Sequence, residues 1–209
     1  MKNIPGCKTL SNKIIIFSAF VLSAMLVMPM VEAGDWTGNA NFLLGQKQLD
    51  ENDWQPVDSQ FELGVLVDFR KVDWPVSIAI DFLESGDVHE SGANKEEGYT
   101  FEQHIGARKI WGDTGTVFRP YIGGGVARVP GKIKRKTATT TEEQDDTGTG
   151  YWLGADTYWM VGPQLNLGLD IRYSQAEVTL FNKEIEAGGL HTGYLWVITG
   201  SRSLEKLEG

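Results

Sequence analysis

Apolar and polar residues alternate with period two along several stretches of this 209-residue chain. Phe61, Leu63, Val65, Val67 and Phe69 interleave with Glu62, Gly64, Leu66, Asp68 and Arg70. Leu165, Leu167, Leu169, Ile171 and Tyr173 interleave in the same way with Asn166, Gly168, Asp170, Arg172 and Ser174. Successive side chains of a strand point to opposite faces, so each stretch has one apolar and one polar side. Eight such strands are predicted, roughly over 35–45, 59–70, 75–85, 98–110, 116–129, 149–160, 164–177 and 188–199. The connections after the second, fourth and sixth are tight, at 71–74, 111–115 and 161–163. Those after the odd-numbered strands are longer and more polar, with 130–148 the extreme. Such alternation suits an up-and-down barrel with short turns toward the periplasm and longer loops outward. A closed barrel also satisfies every backbone hydrogen bond in lipid and leaves no sheet edge. The pattern therefore predicts an all-β fold, an eight-stranded antiparallel up-and-down transmembrane β-barrel of the outer membrane. A soluble barrel with its apolar face inward has the same period and stands as the alternative.

If the apolar set faces lipid, then Phe61, Leu63, Val65, Val67, Phe69, Leu165, Leu167, Leu169 and Ile171 lie on the outside. The alternate set lines the lumen: Glu62, Asp68, Arg70, Asp81, Glu102, His104, Arg108, Asp156, Asp170, Arg172 and His191. Eight strands enclose only enough space for side chains. These charged groups are thus expected to pair across the interior as a plug, not to line a pore. Gly38, Gly64, Gly106, Gly154, Gly168 and Gly193 are placed on the same inner face, leaving room for the long charged side chains. Strand 116–129 can be phased either way through Tyr121-Ile122-Gly123-Gly124-Gly125-Val126, and its lipid face stays unassigned. Trp36, Trp74, Tyr99, Trp111, Tyr121, Tyr151, Trp152, Tyr158, Trp159 and Tyr173 fall near strand ends and predict two interfacial girdles.

The start of the chain adds export. Lys2, Lys8 and Lys13 precede an apolar run from Ile14 to Met30, then Val31-Glu32-Ala33 and Gly34. This is the order of a signal peptide, residues 1–33, cleaved after Ala33. The barrel is assigned to 34–199 and a polar tail to 200–209. Losing the leader removes the single cysteine, Cys7, so the exported chain has no disulfide and no thiolate chemistry. It also removes three lysines and Glu32, which takes the formal charge from −9 to −11. A chain so acidic is not expected to bind nucleic acid.

Sites for chemistry are few. His89-Glu90-Ser91 has the His-x-Ser spacing of barrel enzymes that act on lipid A, but it falls in the loop between the third and fourth strands. No scaffold there would fix a base and a nucleophile. His191 is followed by Thr192 and Gly193, which supply no serine. Three scattered histidines argue against a transition-metal site. The acidic run Glu142 to Asp146 lacks the pattern of a calcium loop and is read as a mobile, solvated loop. No catalytic residue, metal or cofactor is assigned.

The stretch Phe118-Arg119-Pro120-Tyr121-Ile122-Gly123-Gly124-Gly125-Val126 resembles the FRPY-(V/I)-G-x-G-(V/I) strand of small Gram-negative outer-membrane barrels, including the OmpW type. That resemblance implies an eight-stranded barrel in the outer membrane. For the OmpW type it would further imply passage of small hydrophobic molecules through a lateral opening. Gly193-Tyr194-Leu195-Trp196-Val197-Ile198 is similar to the glycine-aromatic ending of a last strand, although a polar tail follows where such barrels usually stop. The partners this implies are outer-membrane lipid, lipopolysaccharide and the barrel-insertion machinery. The leading functional expectation is a non-enzymatic envelope barrel with a plugged lumen and exposed loops. Transport or binding of a small hydrophobic ligand is the alternative, and a lipid A-modifying enzyme the third reading.

Overall fold

The computed structural model describes residues 36–112, 116–161 and 165–200. The leader, the Gly-Asp-Thr-Gly turn at 112–115, Pro163 and the 201–209 tail lie wholly or mainly outside the described residues. Eight strands form a closed antiparallel ring: β1 (Trp36–Gln48), β2 (Ser59–Lys71), β3 (Ser77–Ser91), β4 (Asn94–Ile110), β5 (Phe118–Lys136), β6 (Thr141–Met160), β7 (Leu165–Gln175) and β10 (Gly189–Gly200). Sequential neighbours pair, and β10 bonds to both β7 and β1, which shuts the cylinder. A second, two-stranded sheet joins β8 (Glu177–Leu180) to β9 (Lys183–Glu186) between β7 and β10. One short helix, α1 (Glu51–Trp54), follows β1, with the Asp50 carboxylate accepting from the Asn52 N–H at 2.8 Å as its N-cap.

Two of the segments expected to be loops are in fact strand. β3 and β4 continue upward until Ser91 pairs with Asn94 across the turn Gly92-Ala93, and Gly92 there takes φ +63°, a left-handed conformation that glycine adopts without steric strain. β5 and β6 likewise continue to the pair Lys136–Thr141. The acidic run Glu142–Asp146 is therefore a paired strand and not a mobile loop. Its partners explain this: Lys132 bonds Glu143, Lys134 lies 3.5 Å from the same carboxylate, and Arg135 donates to Glu96 on β4 at 2.8 Å. Opposite charges facing each other across a ladder stabilise pairing. The 177–186 hairpin turns through Phe181 (φ 52°) and Asn182 (φ 60°), the two-residue geometry with left-handed residues that suits strand twist.

A transmembrane strand needs about 9–11 residues. β5 has 19 and β6 has 20. Roughly half of each therefore projects beyond a bilayer on the side of the longer hairpins.

The outward face carries Phe61, Leu63, Leu167, Leu169, Ile171, Ile105, Ile122, Val126 and Leu153, all exposed. Val65, Val67 and Phe69 lie on the same face, half-buried. Leu165 lies outside the residues whose side chains are described. Strand β5 is now phased: Tyr121, Ala127 and Val129 are buried inside, while Ile122 and Val126 are more than half exposed outside. Gly38 is corrected to the outward set, since it pairs with outward Phe69, whereas Gly64, Gly106, Gly154, Gly168 and Gly193 keep the inner phase. Gly106 and Gly125 face each other inside the β4–β5 pair, where an added Cβ at either would come within 2.2 Å of the opposite backbone.

The aromatic girdles need a larger correction. Trp36, Trp74, Phe118 and Trp159 cluster outside at the short-turn end, with Trp36 and Trp74 ring centroids 5.5 Å apart and Phe118 and Trp159 5.7 Å apart. Tyr151 and Tyr173 face outward toward the other end, 6.5 Å apart. Tyr121, Trp152 and Tyr158, however, are fully buried inside the barrel. Their strand parity, not their nearness to a strand end, sets where they point. From Trp159 to Tyr151 is eight residues of β6, about 26 Å along the strand. A tilt near 40° reduces this to ~20 Å, close to the apolar band of outer-membrane barrels.

Candidate functional site

The interior contains two plugs of different chemistry. The lower one is mainly ionic and also holds a cluster of Leu43, Leu66, Leu83 and Leu195 with Tyr121 and Tyr158. Arg172 on β7 donates to Asp81 on β3 at 2.8 Å and to its own-strand neighbour Asp170 at 2.9 Å. Arg108 on β4 donates to the same Asp81 oxygen at 2.6 Å and lies 3.9 Å from Asp68, which accepts from Asn39 at 2.8 Å. The indole of Trp152 lies beside both guanidinium groups, 5.2 Å from Arg172 and 5.7 Å from Arg108, and stacks on His104 at 5.3 Å with the ring planes 4° apart. Cations over an aromatic face in a desolvated site gain attraction from the ring quadrupole.

A second group sits nearer the longer loops. His104 bonds Glu102 at 2.7 Å, and Glu102 also holds Lys47 and accepts from Ser174 at 3.1 Å. Lys47 further donates to Thr100 at 2.9 Å and to the Ala187 carbonyl at 2.8 Å. His191 bonds Glu62 through Nδ1 at 2.7 Å and meets Ser174 through Nε2 at 3.0 Å. Asp156 faces Asp170 across the β6–β7 pair and accepts the Ile171 N–H at 3.0 Å. Six buried carboxylates thus share the interior with Lys47, Arg108, Arg172 and two histidines. Buried charges persist when paired and hydrogen-bonded. Five of the six carboxylates lie within 4.0 Å of a described basic group, whereas Asp156 has none and leaves its Oδ2 without a described hydrogen bond.

Ten of the eleven residues expected in the lumen are buried there. Arg70 is not among them. It stands at the end of β2 and donates to the Trp74 carbonyl at 2.6 Å, tying down the short turn. Sequence reasoning missed Lys47, because β1 was ended at 45. Its signal was present in the alternation Asn39, Asn41, Leu43, Gly45, Lys47. It also missed Ser174, the neighbour that His191 was expected to lack, which comes from the adjacent strand one pairing step away.

Ser174, His191 and Glu62 have the spacing of a nucleophile, base and acid. The surroundings do not suit that use. The Ser174 hydroxyl is fully buried and also points at the Glu102 carboxylate, the stronger acceptor for its one proton. A nucleophile needs open approach and donors for the developing oxyanion. His89 and Ser91 lie exposed at the end of β3 rather than in a loop, and no bond joins them among the described contacts. No group of three or more His, Cys, Asp or Glu among the described residues is arranged to hold a metal ion.

The upper plug is apolar. Leu49, Trp54 and Val57 from the β1–β2 connection pack with Val129 and Ile133 of β5 and with Val178, Leu180, Ile185 and Ala187 of the β8–β9 segment. Trp54 donates its indole N–H to the Glu186 carbonyl at 2.7 Å, and Asp53 pairs with Lys183 at 2.6 Å, so α1 is fastened to the small hairpin. Lys47, bonded to the Ala187 carbonyl, joins this lid to the ionic layer beneath.

A closed eight-stranded cylinder, apolar outside, ionic within and extended on one side by long hairpins, is the architecture of a small bacterial outer-membrane protein. The described helix is too short to span a bilayer, and a barrel crosses with strands. Residues 17–196 match the outer membrane protein beta-barrel domain family, and the chain belongs to that family. Its fold is similar to a major outer membrane protein from Thermus thermophilus at TM-score 0.54 and 9% identity, covering 78% of this chain and 99% of that one. It is also similar to Ail, the attachment invasion locus protein of Yersinia pestis, solved with the heparin analogue sucrose octasulfate, at TM-score 0.52 and 10% identity, covering 79% and 97% of the two chains. Neisserial surface protein A aligns at TM-score 0.48 and 14% identity, covering 78% and 96%. No curated protein matches the sequence. The chain is therefore a small β-barrel of the outer membrane.

Proposed function

We propose that this barrel is a non-enzymatic anchor that carries rigid, mixed-charge hairpins above the outer membrane as an interaction surface. The observation that supports this most is the filled interior, ionic below and apolar above, while β3 to β6 continue well past the span as a paired sheet. In this reading Phe61, Leu63, Val65, Val67, Phe69, Leu165, Leu167, Leu169 and Ile171 contact acyl chains. The interior residues hold the cylinder rigid, and the barrel-insertion machinery is its partner in assembly.

The hairpin chemistry narrows the partner. Basic β5 lies between acidic β4 and β6, so Lys132, Lys134 and Arg135 already have carboxylate partners. A polyanion such as the one held by Ail would have to displace them, and a partner of mixed charge, protein or glycan, fits better. Orientation and closure are tested together in a chain whose only native cysteine is Cys7. A membrane-impermeant maleimide should label Thr139→Cys on intact cells and leave Asp73→Cys untouched, and purified protein should give no stable conductance step in planar bilayers. Labelling at Asp73 alone, or a reproducible channel current, refutes the proposal.

A further inference from the structure

The outer wall of the barrel is not uniform. On β3, β4 and β5 a groove of about 330 Å³ opens outward, lined by Ile80, Phe82, Ile105 and Val126, with Gln103 and Arg128 at its loop-side end. Ile105 and Val126 are 59% and 52% exposed. Below them the facing pair is Ala107 and Gly124; Leu153 of β6 leans over Gly124, with its Cδ2 2.8 Å from where a Cβ would stand, while Ala107 is exposed and leaves the β4 side of the wall low. Arg128 points outward and is exposed, and its described hydrogen bond goes to the neutral Gln103 side-chain oxygen at 3.0 Å. A full positive charge is thus held beside apolar surface without a described acidic partner. It also stands at a defined height: Val126, two residues earlier, pairs with girdle residue Tyr151, and Lys132, four residues later, belongs to the charged hairpin.

We infer that this groove binds one molecule of lipid A, the phosphorylated and multiply acylated glucosamine disaccharide of the outer leaflet. An acyl chain lies along Phe82, Ile105 and Val126 toward Ala107, and a phosphate meets Arg128. Charge complementarity and height select this occupant. A guanidinium at the lipid–water boundary is stabilised by a phosphate through paired, charge-assisted hydrogen bonds, and phosphorylated sugar lies at that boundary in the outer leaflet. The inference rests on the outer-membrane orientation proposed above, in which the long hairpins face outward.

Barrels extracted from outer membranes in mild detergent and freed of bulk lipid are compared by mass spectrometry for lipid A and phosphatidylglycerol carried per barrel. Wild type should retain lipid A. Arg128→Glu, which removes the phosphate partner, and Ala107→Trp, which fills the groove, should each lower the retained amount roughly tenfold. Arg128→Lys should keep most of it. Both altered positions face outward, and the shift in mobility between boiled and unboiled samples reports whether each variant is folded. Equal retention in wild type and in folded Arg128→Glu overturns the inference and leaves the anchor reading intact. Variant-dependent retention of phosphatidylglycerol in place of lipid A overturns the assignment of the occupant. Absence of the wild-type barrel from the outer-membrane fraction overturns the orientation and the groove together.

Discussion

Below Val126 and above Arg128, strand β5 obeys opposite rules. In the lower part the outward residues Ile122 and Val126 are apolar, and the interior combines ionic groups with leucines around Tyr121, the Arg108 guanidinium lying 5.5 Å from that ring. In the upper part the outward residues are Arg128, Lys132 and Lys134, and the inward residues Val129 and Ile133 are apolar and buried. The backbone is one continuous strand; what changes is the solvent outside it. In the proposed membrane placement lipid lies around the lower half and water around the upper, so the polarity of the two faces exchanges where the membrane ends. The same switch explains the two plugs. Inside the span, charged groups are kept from lipid and must satisfy one another. Above the span, the water-facing hairpins can bury an ordinary apolar cluster, as a soluble protein does.

The largest effect should come from breaking the lower plug. Arg172→Ala leaves Asp81 and Asp170 without their shared cation and should cost about 3–5 kcal/mol, as expected when one partner of a buried ion pair is removed. Urea unfolding from lipid vesicles measures it, and a loss below 1 kcal/mol would mean that the remaining groups repair the network. Next comes the contrast across the boundary. Val65→Arg places a charge on the outward face of β2 and should cost ~2–4 kcal/mol if that position is at mid-bilayer, whereas Thr139→Arg at the β5–β6 turn should stay within ~0.5 kcal/mol. Equal costs at the two sites would remove the boundary from the account.

A smaller and local effect is expected in the lid. Trp54→Ala deletes the central side chain of the upper cluster and its bond to Glu186, so amide exchange should accelerate over 183–187 while the lower barrel stays protected. Bilayer recordings of this variant should still show no channel, because the ionic layer remains beneath. Current through it would show that the lid alone closes the barrel. The smallest effect is one of pH at the hairpins. Glu143 is held below its ordinary value of 4.5 chiefly by the hydrogen bond from Lys132, and Asp146 below its 3.8 chiefly by the Thr179 N–H, 2.7 Å away. Both folded values are depressed, so their contribution is complete above those ordinary values and fades as pH falls below them through the folded ones. Exchange over 141–146 and 177–180 should therefore quicken as pH falls below those ordinary values of 4.5 and 3.8, and an unchanged rate would show that these two bonds do not hold the hairpins together.

The lower barrel was legible because its signal is local. Alternation in β2 and β7 identifies the faces of those strands without knowledge of their neighbours, and glycine and charge on the inner phase agree with it. The upper hairpins read as loops because their outward residues are charged and the inward phase of β6 there is glycine-rich, with Gly148 and Gly150, so no continuous apolar stripe announces a strand. Trp152 misled for a related reason: a Trp near a strand end suits an interface equally well from either face, and only its even position in β6 turns it inward.

The sequence by itself determined the period, the eight strands of the ring and the two-sidedness of strands such as β2 and β7, since these follow from side chains two residues apart meeting different surroundings; the faces of β5 came only from the structure. The tertiary structure decided which charges meet, as with Arg172 and Asp81, 91 positions apart, and that Ser174 lies beside His191. It also decided that α1 and the β8–β9 hairpin close the top with an apolar lid. These contacts depend on ring closure and on the register between strands, which bring together residues that no local pattern relates.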